Sequence, residues 1–347
     1  MPHTPLNSLD RRELLRWLQS GLAASVALPS FAFAAERKDK RPIALLVPLS
    51  GPRARLGSSM RQAALLAENG QFVQSFDTGG TAAGAAAAAA KALKIKPALI
   101  LGPLTAEEVP AVSSTIAGRV PVIAFSNDSV LRAPGTWIFG ITAGQVTSAI
   151  LRYARTRGVK SVAVIDDGTP WSAAATLAAG RMEGELGLTV SLLKVDQPLP
   201  EAAPDAVLFP GNGEAMLAAA RRFKDSGVQM LGTLQGLDHR PQALEALDGA
   251  WIASPDPVAF GTFAAEFEAR NGGGAGTITA LAYDAAGIAN ALRKAGTLGG
   301  EGLLDSKGFN CVTGPVRFRT DGSVARDFAI LVARAQGYEP VAVSSGS

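Results

Sequence analysis

The chain has 347 residues, a length that suits two domains of ordinary size or one large one. It is 47% hydrophobic and 18% charged, with a formal net charge of +3, and no basic block with interleaved aromatics occurs, so nucleic acid is a poor partner. A single cysteine, Cys311, excludes an internal disulfide, and with His239 the only histidine beyond His3 no His/Cys metal cluster can be built.

The first element is "LDRRELLRWLQSGLAASVALPSFAFAA" from Leu9. Arg11, Arg12 and Arg16 precede an apolar stretch, Leu14 to Leu28, interrupted by Gln19, Ser20 and Gly21. Ala32-Phe33-Ala34 then supplies small residues for cleavage, which reads as a twin-arginine-like signal peptide over residues 1–34 and a periplasmic destination. The stretch is too short and broken to span a bilayer, so no stable membrane insertion is expected. Without a cysteine after it, no lipid anchor is expected there either. "ERKDKR", Glu36 to Arg41, reads as a solvated linker, placed at residues 35–41.

From there the chain alternates strand and helix signals. "IALLVPL" is a continuous apolar run, as for a strand buried on both faces. "MRQAALLAENG" has helical spacing and a stop at Asn69-Gly70. "FVQSF" is a short strand, and the Ala-rich "TAAGAAAAAAKALKIK" a helix packed closely on a sheet. "ALILGP", "TAEEVPAVSSTIAGR" and "VPVIAFS" continue the rhythm, followed by "ILRYARTRGV", "SVAVIDD", "WSAAATLAAGRMEGELG" and "TVSLLKV". It runs on through "DAVLFPG", "EAMLAAARRFKDSG", "VQMLGT" and "AWIASPD". Such alternation implies an α/β fold with parallel sheets flanked by helices. "FGTFAAEFEARNG" and "TITALAYDAAGIANALRKAG" are two helices in succession. The tail from Gly314 alternates with period 2 about Asp321-Gly322 and Gln336-Gly337, as an antiparallel ribbon.

Ligands of open α/β sheets bind beyond the carboxyl ends of the strands. The loops there are "PLSGPRARLG", "GPLTAEE", "AFSNDS" and "DDGTPW". Enzyme motifs are absent. "DTG" at Asp77 to Gly79 has no second copy to form a carboxylate pair, Gly80 and Gly84 do not complete G-x-G-x-x-G, and neither a G-x-S-x-G elbow nor a P-loop occurs. No cofactor is implied.

"IALLVPLSGPRARLGSSMRQAALLA", "ALILGPLTAEEV", "VPVIAFS", "LRYARTRGVKSVAVIDDGTPW", "PDAVLFPGNGEA" and "LAYDAAGIANAL" resemble, in order, the type I periplasmic solute-binding proteins of the leucine/isoleucine/valine branch. "DTGGT" and the "GPVRFR" tail resemble the penicillin-binding-protein activators of that branch. The resemblance implies a non-catalytic, two-lobed fold with three crossovers, closing on a small polar ligand. The first lobe would be residues 42–142 and 255–312, and the second 143–254 and 313–347. Its partner would be an ABC permease or a cell-wall synthase.

The implied ligand residues each carry a plainer reading. Thr105 opens a T-x-x-E capping box with Glu108, and lies where the family holds a ligand carboxylate. Ser126 matches a hydroxyl donor to that carboxylate, whereas Asp128 stands where a threonine is common and would repel it. Asn127 and Asp128 are equally turn residues. Trp171 falls at the family's cleft aromatic, or packs the lobe. Gln235 replaces the glutamate that pairs with the ammonium of amino acids. Tyr283, with Asp284, matches a motif that faces the hinge.

Overall fold

The computed structural model describes residues 39–68 and 71–346. The expected signal peptide and the stop at Asn69-Gly70 lie outside them. The end of the expected linker is tied down: Arg41 pairs with Asp39 and donates to the Leu298 carbonyl at 2.7 Å. Arg293 donates to the carbonyls of Asp39 and Arg41.

Strands β1 (Ile43–Val47), β2 (Val73–Asp77), β3 (Leu99–Leu101), β4 (Val122–Ala124) and β5 (Thr136–Ile138) form one wholly parallel sheet in the order β2-β1-β3-β4-β5. Every residue of β1, β3, β4 and β5 is buried, as a strand covered on both faces requires. Strand β5 is an addition to the sequence reading, because its three residues are too few to show a period. Helices α1 (Ala54–Glu68), α2 (Ala82–Lys94) and α3 (Glu108–Ile116) follow β1, β2 and β3. The alanine run faces the sheet through Ala85, Ala88, Ala89 and Ala92, all buried.

After α4 (Ala143–Thr156), a second sheet repeats the plan: β6 (Ser161–Asp166), α5 (Pro170–Leu186), β7 (Thr189–Lys194), β8 (Ala206–Phe209), α6 (Glu214–Phe223), β9 (Gln229–Thr233), α7 (Pro241–Ala246) and β10 (Trp251–Ser254). Its parallel part runs β7-β6-β8-β9-β10, the same order as the first sheet. Helices α8 (Pro257–Asn271) and α9 (Thr277–Lys294) return to the first sheet, where both pack on α1 and α9 also meets β3. A short α10 (Gly300–Leu303) leads to β11 (Val316–Phe318), β12 (Val324–Arg334) and β13 (Gly337–Gly346). The latter two form the antiparallel ribbon on β10.

The β11–β12 hairpin belongs to the second sheet and docks on the edge of the first. Trp137 Nε1 donates to the Arg319 carbonyl at 2.7 Å, and the Ile138 amide to that of Gly322 at 3.2 Å. Phe318 stacks on Phe139 at 5.8 Å. Gly322 has φ 83°, and a Cβ there would sit 2.4 Å from the Ala133 carbonyl oxygen, so only glycine allows this approach. Beneath the hairpin, at the crossover where the chain passes Thr313 from α9 on the first sheet to β11 of the second, Arg326 is fully buried and donates to Thr313 Oγ1 and to the Phe139 carbonyl, the latter at 2.7 Å. Asp284 accepts from the Val312 amide (2.8 Å), the Thr313 amide (3.0 Å) and Thr313 Oγ1 (2.5 Å). Burial pushes the Asp284 carboxyl up, against the Thr313 hydroxyl and the nearby Arg326 charge, which pull it down.

Candidate functional site

In each sheet the strand order reverses between the first strand and its neighbour, at β1/β3 and at β6/β8, and a crevice opens there. On the second sheet the crevice is braced by one carbonyl. Trp171 Nε1 and Thr233 Oγ1 both donate to Pro210, at 2.9 and 2.5 Å. The indole is therefore fixed, with Thr169 capping α5 through the Ser172 amide and Pro170 in its first turn.

A cavity of about 620 Å³ opens between loops of the two sheets. Asn127, Asp128 and Val130 line it from the β4 loop, Ala106 from the β3 loop, and Trp171, Leu177 and Arg181 from α5. Val130 is 83% exposed and Leu177 65%, so each lip offers a bare apolar side chain. With Asn127, Asp128 and Arg181 beside these lips, such a lining suits a small polar ligand that also carries an apolar part.

Of the six residues singled out in the sequence, Asp128 and Trp171 line this cavity together. Asp128 Oδ1 accepts from the Val130 amide at 3.1 Å, the turn role expected of it. Ser126 lies buried behind, its hydroxyl accepting from the Asp128 amide at 3.2 Å. Thr105 adjoins the lining residue Ala106, but its expected cap is only half formed. Helix α3 begins at Glu108, and no side chain caps its first amides. Instead the Thr105 amide and hydroxyl both donate to Glu108 Oε2, at 2.8 and 2.9 Å. Glu108 is fully buried and its Oε1 has no partner among the described residues.

Gln235 and Tyr283 do not line the cavity. Gln235 is exposed on the β9 loop, its amide donating to Thr233 Oγ1 at 3.3 Å. Tyr283 packs on Phe263, 4.7 Å between ring centres, and borders a separate cavity of about 400 Å³ with Asp284 and Cys311. Burial pushes the Cys311 thiol well up, and the nearby Asp284 charge adds to this.

Asp166 and Asp167 are the other acids near the crevice. Asp166 pairs with Lys194 at 2.6 Å, which holds its carboxyl below the usual range. For Asp167, burial raises the carboxyl but hydrogen bonds from Thr169 and Ser172 outweigh it. Both are held by their own surroundings, and neither lines the cavity. Among the described residues no group of three or more His, Cys, Asp or Glu could hold a metal ion. No helix among them is long and apolar enough to cross a membrane. The T-x-x-E spacing anticipates the bond from the Thr105 amide to Glu108, but neither the depth of that carboxylate nor the exposure of Val130 and Leu177 as lips can be read from it.

Two parallel α/β sheets of one strand order, each opening its crevice toward a shared cavity, define a two-lobed binding-protein fold. The chain belongs to the periplasmic binding protein family, whose model matches residues 41–338. The fold recurs in the leucine-binding protein LivK of Thermotoga maritima, at 19% identity and TM-score 0.57, covering 87% of this chain and 98% of that one. A branched-chain amino acid ABC transporter periplasmic ligand-binding protein of Burkholderia xenovorans shares it at 14% identity and TM-score 0.66, over 88% and 95% of the two chains. So does the C-domain of LpoA of Haemophilus influenzae, a regulator of PBP1A, at 16% identity and TM-score 0.70, over 87% and 100%. At these identities the likeness is one of fold. No curated protein matches the sequence.

Proposed function

We propose that the chain is a non-catalytic periplasmic binding protein, exported through residues 1–34, whose cleft takes a small polar ligand other than leucine, isoleucine or valine and hands it to an ABC permease. The observation that carries this reading is Glu108. Its carboxylate occupies the Thr105 amide and hydroxyl, beside the helix start near which the family resemblance places a ligand carboxylate. A free amino acid would meet a filled anion site, with the charge of Asp128 on the next loop and no acid at Gln235 for its ammonium. A buried charge that loses its partner costs roughly 3–5 kcal/mol. At about 1.4 kcal/mol per tenfold, that weakens a micromolar site beyond millimolar.

A second reading, that the chain activates a cell-wall synthase by protein contact, is favoured by the crossover. Arg326 binds Thr313 and the Phe139 carbonyl, and the β11–β12 hairpin rests on β5, so the two sheets are fastened to one another. A fastened crossover suits a docking platform more than a cleft that must open and shut.

Isothermal titration with the three amino acids tests the first claim. We expect no binding at micromolar concentration, and a micromolar dissociation constant for any of them overturns it. Mass spectrometry of protein purified from periplasm separates the two roles. A specific small molecule retained in the cleft supports delivery; an empty cleft with a synthase co-eluting supports activation.

A further inference from the structure

We propose that the cleft ligand is a zwitterion whose ammonium and carboxylate stand at opposite ends of an apolar chain, the ammonium against Asp128 and the carboxylate against Arg181. The inference rests on the proposed capture of a small ligand and names its class. Asp128 and Arg181 are the only charged residues lining the cavity of about 620 Å³. They stand on walls that come from different sheets, Asp128 on the β4 loop of the first and Arg181 on α5 of the second. Neither makes an ion pair with any described residue, so the two opposite charges share one cavity unbridged.

Local structure holds each charge ready. Asp128 Oδ1 accepts from the Val130 amide at 3.1 Å, whereas its Oδ2 accepts from none of the described residues. On α5, Trp171, Ala174, Ala178 and Arg181 follow at helical spacing and form one stripe toward the cavity. Helical side chains tilt toward the N-terminus, which brings the Arg181 guanidinium back along the stripe toward Leu177. The bond from Trp171 Nε1 to the Pro210 carbonyl fixes the indole at the other end. Apart from Arg181 the stripe is apolar, and Val130 adds an apolar side chain from the first sheet.

The charges select the ligand class. Closing the cleft takes both out of water, and each is costly there without a counter-charge. A ligand with one charge satisfies one wall and leaves the other unmatched. A ligand with both, set apart, satisfies the two walls, adds no net charge and lays its chain along Trp171 and Leu177. An α-amino acid fails, because both of its charges sit on one carbon: an ammonium at Asp128 holds the carboxylate against the same acid. The orientation is opposite to the one the family resemblance implies, since Glu108 fills the donors on the first sheet and Arg181 supplies the cation on the second.

The test is isothermal titration of the mature protein with 4-aminobutanoate, 6-aminohexanoate and 8-aminooctanoate, with hexanoate and hexylamine as single-charge controls. One of the three zwitterions should bind the parent roughly tenfold or more tightly than either control and than leucine. Arg181→Gln should reduce that zwitterion to the affinity of hexylamine, and Asp128→Asn to that of hexanoate. Asparagine keeps the oxygen that accepts from Val130, and Arg181 is exposed, so both variants fold. If no zwitterion binds the parent more tightly than the controls, or if binding survives either variant unchanged, the proposal fails. Mass spectrometry of protein purified from periplasm separates this failure from that of the reading beneath it. A retained small molecule without separated opposite charges overturns the ligand class alone, whereas an empty cleft overturns capture and class together.

Discussion

At the crossover, the buried carboxylate of Asp284 accepts three hydrogen bonds and shares Thr313 with Arg326. At the β3 loop, the buried carboxylate of Glu108 accepts two, both from Thr105, and keeps one oxygen bare. The two regions hold the same chemical group at similar depth. The crossover matches its acid with the nearby Arg326 charge and with donors from Val312 and Thr313, leaving only Arg326 Nε bare among those groups. The cleft loop leaves its acid half matched and sets Asp128 one loop away. A half-matched buried acid lowers stability, and proteins keep such costs mainly where function requires them. The comparison sets a buried acid with the Arg326 charge close by against one held by Thr105 alone, and under the proposed function the second is where a ligand would be admitted or excluded.

The largest expected effect breaks the crossover. Arg326→Met keeps the length of the side chain and removes its charge and donors. Asp284, Thr313 and the Phe139 carbonyl then lose a buried partner, at a cost of roughly 3–5 kcal/mol. Urea unfolding measures this. A loss under about 1 kcal/mol, the scale of an exposed pair, would mean that the network does not fasten the crossover.

Glu108→Ala should cost less, about 1–3 kcal/mol, because it strands the Thr105 amide and hydroxyl without removing a cation. It also empties the anion position. Acetate should then raise the melting temperature of the variant and not that of the parent, as a ligand that binds only the folded state does. Equal response of the two proteins would show that the Thr105 donors do not form a carboxylate site, and would remove the main support for excluding amino acids.

The regular parts of this contrast were legible in the sequence, and the exceptional parts were not. The apolar run at Ile43 and the alanine run at Ala85 specify buried strand and close-packed helix by pattern alone. Asp128 and Trp171 stand at strand ends, where topology directs a ligand, and both line the cavity. What the pattern could not carry is long range. Arg326 sits 42 residues from Asp284 in the chain and meets it through Thr313, and nothing in "VARDFAIL" marks that arginine as buried. Glu108 likewise reads as a capping acid until its depth is known, since a cap and a self-filled anion site share one spacing.

The smallest effect separates the number of donors from depth. Asp77, at the end of β2, accepts three amides, from Leu49 (2.8 Å), Ser50 (3.2 Å) and Gly79 (2.8 Å), as many bonds as Asp284 accepts. It is exposed, whereas Asp284 is buried. The Ser50 side chain is the largest influence on Asp77; slight burial opposes it, the amides reinforce it, and the carboxyl falls below its usual 3.8. Asp284, with equal donors, moves the other way because burial outweighs them. The signs follow from proton linkage. A lowered folded value means that the unfolded chain takes up protons first as pH falls, so the contribution of Asp77 is whole above about 3.8 and is lost as pH falls through the folded value. Asp77→Asn should thus be less stable than the parent at neutral pH, by under about 1 kcal/mol given its exposure. The gap should close in acid. Asp284→Asn should run opposite, because the folded parent binds its proton more readily and gains on the variant as pH falls toward 3.8. Paired urea titrations across the acid range read both slopes. Slopes of the same sign would show that donor number, not burial, governs these carboxylates, and the distinction drawn between crossover and cleft would lose its physical basis.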